Sequence, residues 1–183
     1  RDANPVDSLA EAYFRMGRLD DAIAKYGDAL TIKPDFLGSL GSLAFLYALK
    51  EDSRQAQGTI DRIVAVRLSA GRPGLGYASK GFYQCWLGAF GKGLENLDKA
   101  QGMLAAEGNE SGRASIFRTE SFQYLVKGDY PSARKSIINW LDIDVKRDPE
   151  SAAYDEAFFN STLGFIDLAE GKIDSARSKL AKG

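Results

Sequence analysis

LAEAYFRMGRLDDAIAKYGDALTIKP, the stretch from Leu9 to Pro34, decides the fold. Small and apolar residues recur at helical spacing on both sides of Gly17: Leu9, Ala10 and Tyr13 before it, Ala22, Tyr26 and Ala29 after it. Gly17 punctuates a turn between two helices and Pro34 ends the second. Ala10 and Ala22 are small enough to let the two backbones approach, while Tyr13 and Tyr26 fill the space beside them. One such hairpin cannot bury its own apolar face, so further hairpins are expected downstream.

They are found by pairing a turn residue with a small residue five positions later: Gly17/Ala22, Glu51/Ala56, Gly88/Gly93, Gly128/Ala133 and Gly171/Ala176. The turns stand 34, 37, 40 and 43 residues apart, so either the helices or the loops lengthen along the chain. Seven residues before each turn the side chain is small (Ala10, Ala44, Gly81, Ser121, Gly164), as close helix crossing requires. Nine residues after each turn it is large (Tyr26, Ile60, Leu97, Ile137, Leu180). Between hairpins lie Pro34, the run Gly71-Arg-Pro-Gly-Leu-Gly76, the segment 108–112 and Asp148-Pro149. The punctuation predicts helices near 6–16, 19–32, 36–50, 53–69, 75–88, 91–107, 112–127, 130–147, 151–170 and 173–181. Ser53 is the expected N-cap of the fourth, and Pro131 suits the first turn of the eighth.

Leu9, Ala10, Tyr13, Gly17, Ala22, Tyr26, Ala29 and Pro34 occupy the slots of one tetratricopeptide repeat, and the first hairpin resembles that family; Val6 stands in its leading tryptophan slot. The resemblance implies an all-α fold, a right-handed α-solenoid of about five helix-turn-helix hairpins near 6–34, 36–70, 75–108, 112–148 and 151–183, forming a single array over residues 1–183. It also implies a non-catalytic role as a protein-interaction scaffold.

Composition narrows the function further. The chain has 183 residues, 44% hydrophobic and 27% charged, as in an ordinary globular domain. With 24 basic and 25 acidic residues it has no net field to hold a polyanion, which argues against nucleic acid as a partner. Histidine, the commonest metal ligand and neutral-pH proton carrier, is missing, so no cofactor or metal is expected. Cys85 is the only cysteine, which excludes an intrachain disulfide and suits a reducing compartment such as the cytoplasm. The densest apolar run, Leu43 to Leu49, is far too short to insert across a membrane. A first residue other than methionine, and an end at Gly183 directly after a predicted helix, suggest part of a longer protein whose excised end could self-associate.

Short patterns that invite a catalytic reading fail on context. Gly76-Tyr-Ala-Ser-Lys-Gly81 has phosphate-loop glycine spacing, but Phe82 and Tyr83 follow where lysine and a hydroxyl are needed. Asp142-Ile-Asp144-Val-Lys146 places a lysine where a calcium ligand belongs, and reads as a solvated helix end. Ser132-Ala-Arg-Lys135 falls in a repeat helix without partner motifs. Asn109-Glu-Ser111 and Asn160-Ser-Thr162 match the glycosylation pattern, which bears only on secreted eukaryotic proteins.

Function is expected on the face of the first helices, which in a stacked array lines the concave side. Six residues before each turn stand Glu11, Phe45, Phe82, Phe122 and Phe165. With 10 phenylalanines in 183 residues, chance would place about 0.3 in five slots. Nine residues before each turn come Ser8, Ser42, Ser79, Thr119 and Thr162, on a neighbouring line of the same face. Three residues after the phenylalanine slot are Phe14, Ala48, Cys85, Leu125 and Leu168, with Trp86 and Phe158 near the same side. An exposed face of this kind marks a binding groove. Two other arrangements use the same residues: packing against a neighbouring hairpin, or a groove filled by another part of the parent protein.

The open-groove reading makes Phe45, Phe82, Phe122 and Phe165 anchors for an apolar or amphipathic protein segment, beside Trp86, with Ser79, Thr119 and Thr162 donating hydrogen bonds and Arg118 available to a partner's carboxylate. The slots with which some family members clamp a chaperone's terminal carboxylate hold Asp7, Glu11, Ser42, Leu75 and Ser79, two acidic and none basic, so that partner is not expected. The alternative is a sensor domain of a larger signalling or transcription protein, its small apolar ligand enclosed by Phe82, Trp86 and Phe122. An enzyme would need buried carboxylates, which the inner face lacks.

Overall fold

A computed structural model gives the structure of residues 2–183. Among the described residues there are ten α-helices and no strand: α1 (Asn4–Arg15), α2 (Leu19–Ile32), α3 (Leu37–Leu49), α4 (Ser53–Ser69), α5 (Pro73–Trp86), α6 (Phe90–Ala106), α7 (Glu110–Lys127), α8 (Tyr130–Arg147), α9 (Ala152–Ala169) and α10 (Ile173–Leu180). Every sequence-predicted helix is present, within two residues at each end. The growing repeat interval resides in the helices: the first helices of successive hairpins run 12, 13, 14, 18 and 18 residues, and the second helices of the first four run 14, 17, 17 and 18.

The connections share one device. Gly17, Glu51, Gly71, Gly88, Gly108, Gly128 and Gly171 all take a left-handed backbone with φ between 59° and 80°. After each, the next amide reaches back five residues to a helix carbonyl, as in Arg18 to Tyr13 (3.0 Å), Asp52 to Tyr47 (2.9 Å) and Ala89 to Gln84 (2.8 Å). These bonds satisfy carbonyls that the helix end would leave orphaned. The other two connections carry proline instead, Pro34 before α3 and Pro149 in the single 3-10 turn before α9. Asp52, Asn109 and Asp129 cap α4, α7 and α8, each side chain accepting the amide of a residue three positions on (2.9–3.2 Å). The cap of α4 is thus Asp52 and not Ser53, which is its first helical residue. The run from Gly71 to Gly76 is also less of a break than its composition suggests, because α5 already starts at Pro73.

The chain divides into two compact units, Arg1–Asn96 and Leu97–Gly183, the division falling within α6. In the first unit, Ala10, Ala22, Tyr26, Leu40, Leu46 and Ile60 form a buried core between α1, α2, α3 and α4. Polar bonds tie its first helices together: Ser39 of α3 donates to Asp7 of α1 (2.6 Å), and the Tyr83 hydroxyl of α5 donates to the Gly41 carbonyl of α3 (3.3 Å). Helix α6 crosses α5 with no room to spare, since a methyl on Gly93 would stand 2.3 Å from the Cys85 Sγ and 2.9 Å from the Gly81 oxygen.

In the second unit Ala114, Ile137 and Trp140 form the core, with Phe117, Phe158 and Leu163 against it. Its hairpins also bury carboxylates. Asp167 of α9 accepts from Arg134 of α8, from Lys179 of α10 and, at 2.5 Å, from Ser175, while Arg134 also pairs with Glu170. Burial alone would raise the Asp167 pKa, but these donors outweigh it and hold the carboxyl well below its usual range. Glu120 is only 4% exposed and has the opposite fate. Its Oε1 has no hydrogen-bond partner, its Oε2 accepts a long 3.4 Å bond from Ser136, and Asp98 of α6 adds like charge. Burial first, then Asp98, pushes its pKa up to about 7.

Candidate functional site

Of the four phenylalanines that share a slot, none is fully buried: Phe45 and Phe82 are half-buried, Phe122 is 39% exposed and Phe165 52%. In the first unit the rings gather. Phe14 of α1 meets Phe45 of α3 edge-on at 5.7 Å, Phe45 meets Trp86 of α5 at 4.7 Å, and Phe82 lies 5.3 Å from Trp86 on the same helix. One line of ring contact therefore joins three first helices, and Trp86 at its centre is 47% exposed. Phe45, Ala48, Leu49 and Trp86 wall a hollow of about 320 Å³. It is an open trough lined by Trp86 but by neither Phe82 nor Phe122.

In the second unit Phe122 of α7 packs edge-on to Phe158 of α9 at 6.1 Å, Phe158 also meets the buried Trp140 edge-on at 5.0 Å, and the Arg118 guanidinium lies 5.9 Å from the Phe158 ring centre. Arg118 is exposed, one helical turn from Phe122. Phe165 and Leu168 are exposed together on α9.

The hydroxyls of the neighbouring row bond within their own helices. Ser79 donates to the Leu75 carbonyl (3.0 Å), Thr119 to Ser115 (3.0 Å) and Thr162 to Phe158 (2.9 Å), each one turn back along its own helix, and Thr162 is buried. In this arrangement each hydroxyl donates to its own helix and has lone pairs left to accept with. Cys85 is not on the open face but buried against Gly93. The open line instead runs two residues before each turn, through Arg15, Leu49, Trp86, Val126 and Ala169, all of them exposed. That slot holds five different residue types, so residue identity gives no signal for it as it does for the phenylalanine row.

The acidic clamp slots are internally engaged. Asp7 accepts from Ser39, and Glu11 pairs with Arg15 at 2.6 Å. Residues 76–81 lie wholly within α5, so the phosphate-loop spacing there has no loop to act in. No helix is long and apolar enough to cross a membrane among the described residues. Asp142 and Lys146 pair at 2.8 Å and, with residues of α7, border a second hollow of about 530 Å³.

Antiparallel helical hairpins, with a small residue at each crossing, make this a TPR-like repeat fold. The solved structure of a Podosopora anserina protein described as a kinesin light chain, with nearly identical TPR-like repeats, superposes with a TM-score of 0.67 at 15% identity, covering 98% of this chain and 92% of that one. PilW, a widely conserved type IV pilus biogenesis factor, matches at a TM-score of 0.46 and 17% identity over 98% of this chain and 91% of its own. No family model and no curated protein matches the sequence.

Proposed function

We propose that the chain is a non-catalytic interaction scaffold of five hairpins whose first-helix face takes an apolar or amphipathic segment of another protein. The observation that carries this reading is the ring line Phe14–Phe45–Trp86–Phe82, held by three separate helices with its central indole half in solvent. A large aromatic that is anchored on one side and open on the other suits an interface centre, because a partner can complete its burial without reordering it. The Phe122 and Phe165 surface of the second unit is a further candidate contact, with Arg118 at its edge for a partner's carboxylate.

The test is selection of binding peptides from a random library, followed by affinity measurement on variants. Trp86→Ala and Phe122→Ala should weaken the selected peptides by about 2 kcal/mol or more, while Ile138→Ala, at an exposed apolar residue on α8, should leave them unchanged. The half-exposed Trp86 ring should cost the fold less than the roughly 3–5 kcal/mol of a fully buried one, as read by thermal unfolding. Peptides that bind Trp86→Ala and Phe122→Ala as well as the unmodified chain would place the interaction elsewhere.

A further inference from the structure

We infer that the hollow between the start of α7 and the end of α8 binds a small zwitterion with an apolar body, an amino acid or a short peptide. The hollow measures about 530 Å³, within the usual range of small-molecule sites, lies within the second unit and shares no lining residue with the ring surfaces described above. Its apolar lining comes from Phe117 and Ile143, which also pack against the Ala114, Ile137 and Trp140 core and are therefore fixed in place. Its remaining lining is polar and of both signs.

Arg113 and Glu110 come from α7, and Asp142, Lys146 and Arg147 from α8, with the Asn139 amide beside them as donor and acceptor; Arg147 is already paired with Asp144 at 2.5 Å. A lone anion there would face Glu110 and Asp142, and a lone cation would face Arg113, Lys146 and Arg147. A molecule with one charge of each sign is opposed by neither. The pairs now present, Arg113 with Glu110 at 2.9 Å and Lys146 with Asp142 at 2.8 Å, are between neighbours on one helix and are partly solvated, so exchanging them for a ligand's charges costs little. Arg113 supplies the asymmetry. Its Nη1 serves Glu110, yet its Nε is buried with no acceptor, and a guanidinium turned toward a ligand carboxylate would satisfy that donor. The ligand's ammonium then goes to Glu110 and Asp142, and its side chain to Phe117 and Ile143.

Titration calorimetry on the whole chain with L-leucine, the dipeptide Leu-Leu, N-acetyl-leucine and leucine amide tests this. Leucine or Leu-Leu should bind saturably, and which binds tighter separates a free amino acid from a peptide terminus. Removing either charge, by acetylation or amidation, should weaken binding by roughly tenfold or more. Arg113→Lys, which keeps the charge but loses Nε, and Asn139→Ala should each do the same with unchanged helical circular dichroism. No saturable binding up to about 10 mM, equal binding of the acetylated or amidated forms, or unaltered affinity in both folded variants would overturn the assignment.

Discussion

Glu51 is the one turn residue of its kind with a side chain, at φ 59°, where six other connections have glycine. A side chain in this left-handed region costs about 1–2 kcal/mol, partly offset because glycine loosens the unfolded chain. Glu51→Gly should therefore raise stability by about 0.5–1 kcal/mol, seen as a higher urea midpoint with unchanged slope. Glu120 acts on stability through pH. Its folded carboxyl titrates near 7, against 4.5 for an unperturbed glutamate, so the fold holds this proton more tightly than the unfolded chain does. The stability it contributes is complete below its unperturbed value and is lost as pH rises through about 7, by about 3 kcal/mol in all. Glu120→Gln cannot ionise, so its advantage over the unmodified chain should grow between about pH 5 and about pH 8 in paired urea titrations. An advantage that did not change with pH would remove Glu120 from the account.

The helices were legible because their signals are local. A turn residue, a small crossing residue and a large packing residue repeat in register, and each acts within one hairpin. What misled was residues with two possible uses. Asp52 and Ser53 can both cap a helix, and Gly74 and Gly76 can break one or let another helix come near; here Gly76 lies within α5, and a methyl there would sit 3.3 Å from the Arg67 Cβ of α4. Gly93 is the sharpest such case. Gly93→Ala would force α6 off α5 and should destabilise the chain by about 1–3 kcal/mol in denaturant unfolding, whereas Gly91→Ala in the same helix meets nothing within 4 Å and should be neutral or stabilising. The candidate site was legible only in part. The phenylalanine row follows from register alone, but whether a serine's proton goes outward or to the carbonyl one turn behind is not written in the residue type. The hollow of the fourth hairpin was hidden for a different reason: Phe117 and Ile143 are 26 positions apart and become neighbours only when α7 and α8 pair.

At the scale of the whole molecule, the described contacts inside each of the two units run between helices adjacent or nearly adjacent in sequence, the pattern of repeats whose stability is a sum of neighbour terms. Its two tryptophans divide evenly, Trp86 in the first unit and Trp140 in the second. Trp140→Phe and Trp86→Phe thus give each unit its own fluorescence probe. Urea transitions with separate midpoints are the expected outcome, and coincident ones would show a single cooperative block. The seven left-handed turns bear on how such a chain could have arisen. A stretch copied from one of these turns to the next begins and ends on the same backbone conformation and the same back-reaching amide bond. Duplicated in a gene, it would meet itself at joints already solved, so the chain could gain length by whole units of copying, and the added residues in later units could then accumulate inside the helices without disturbing the seams.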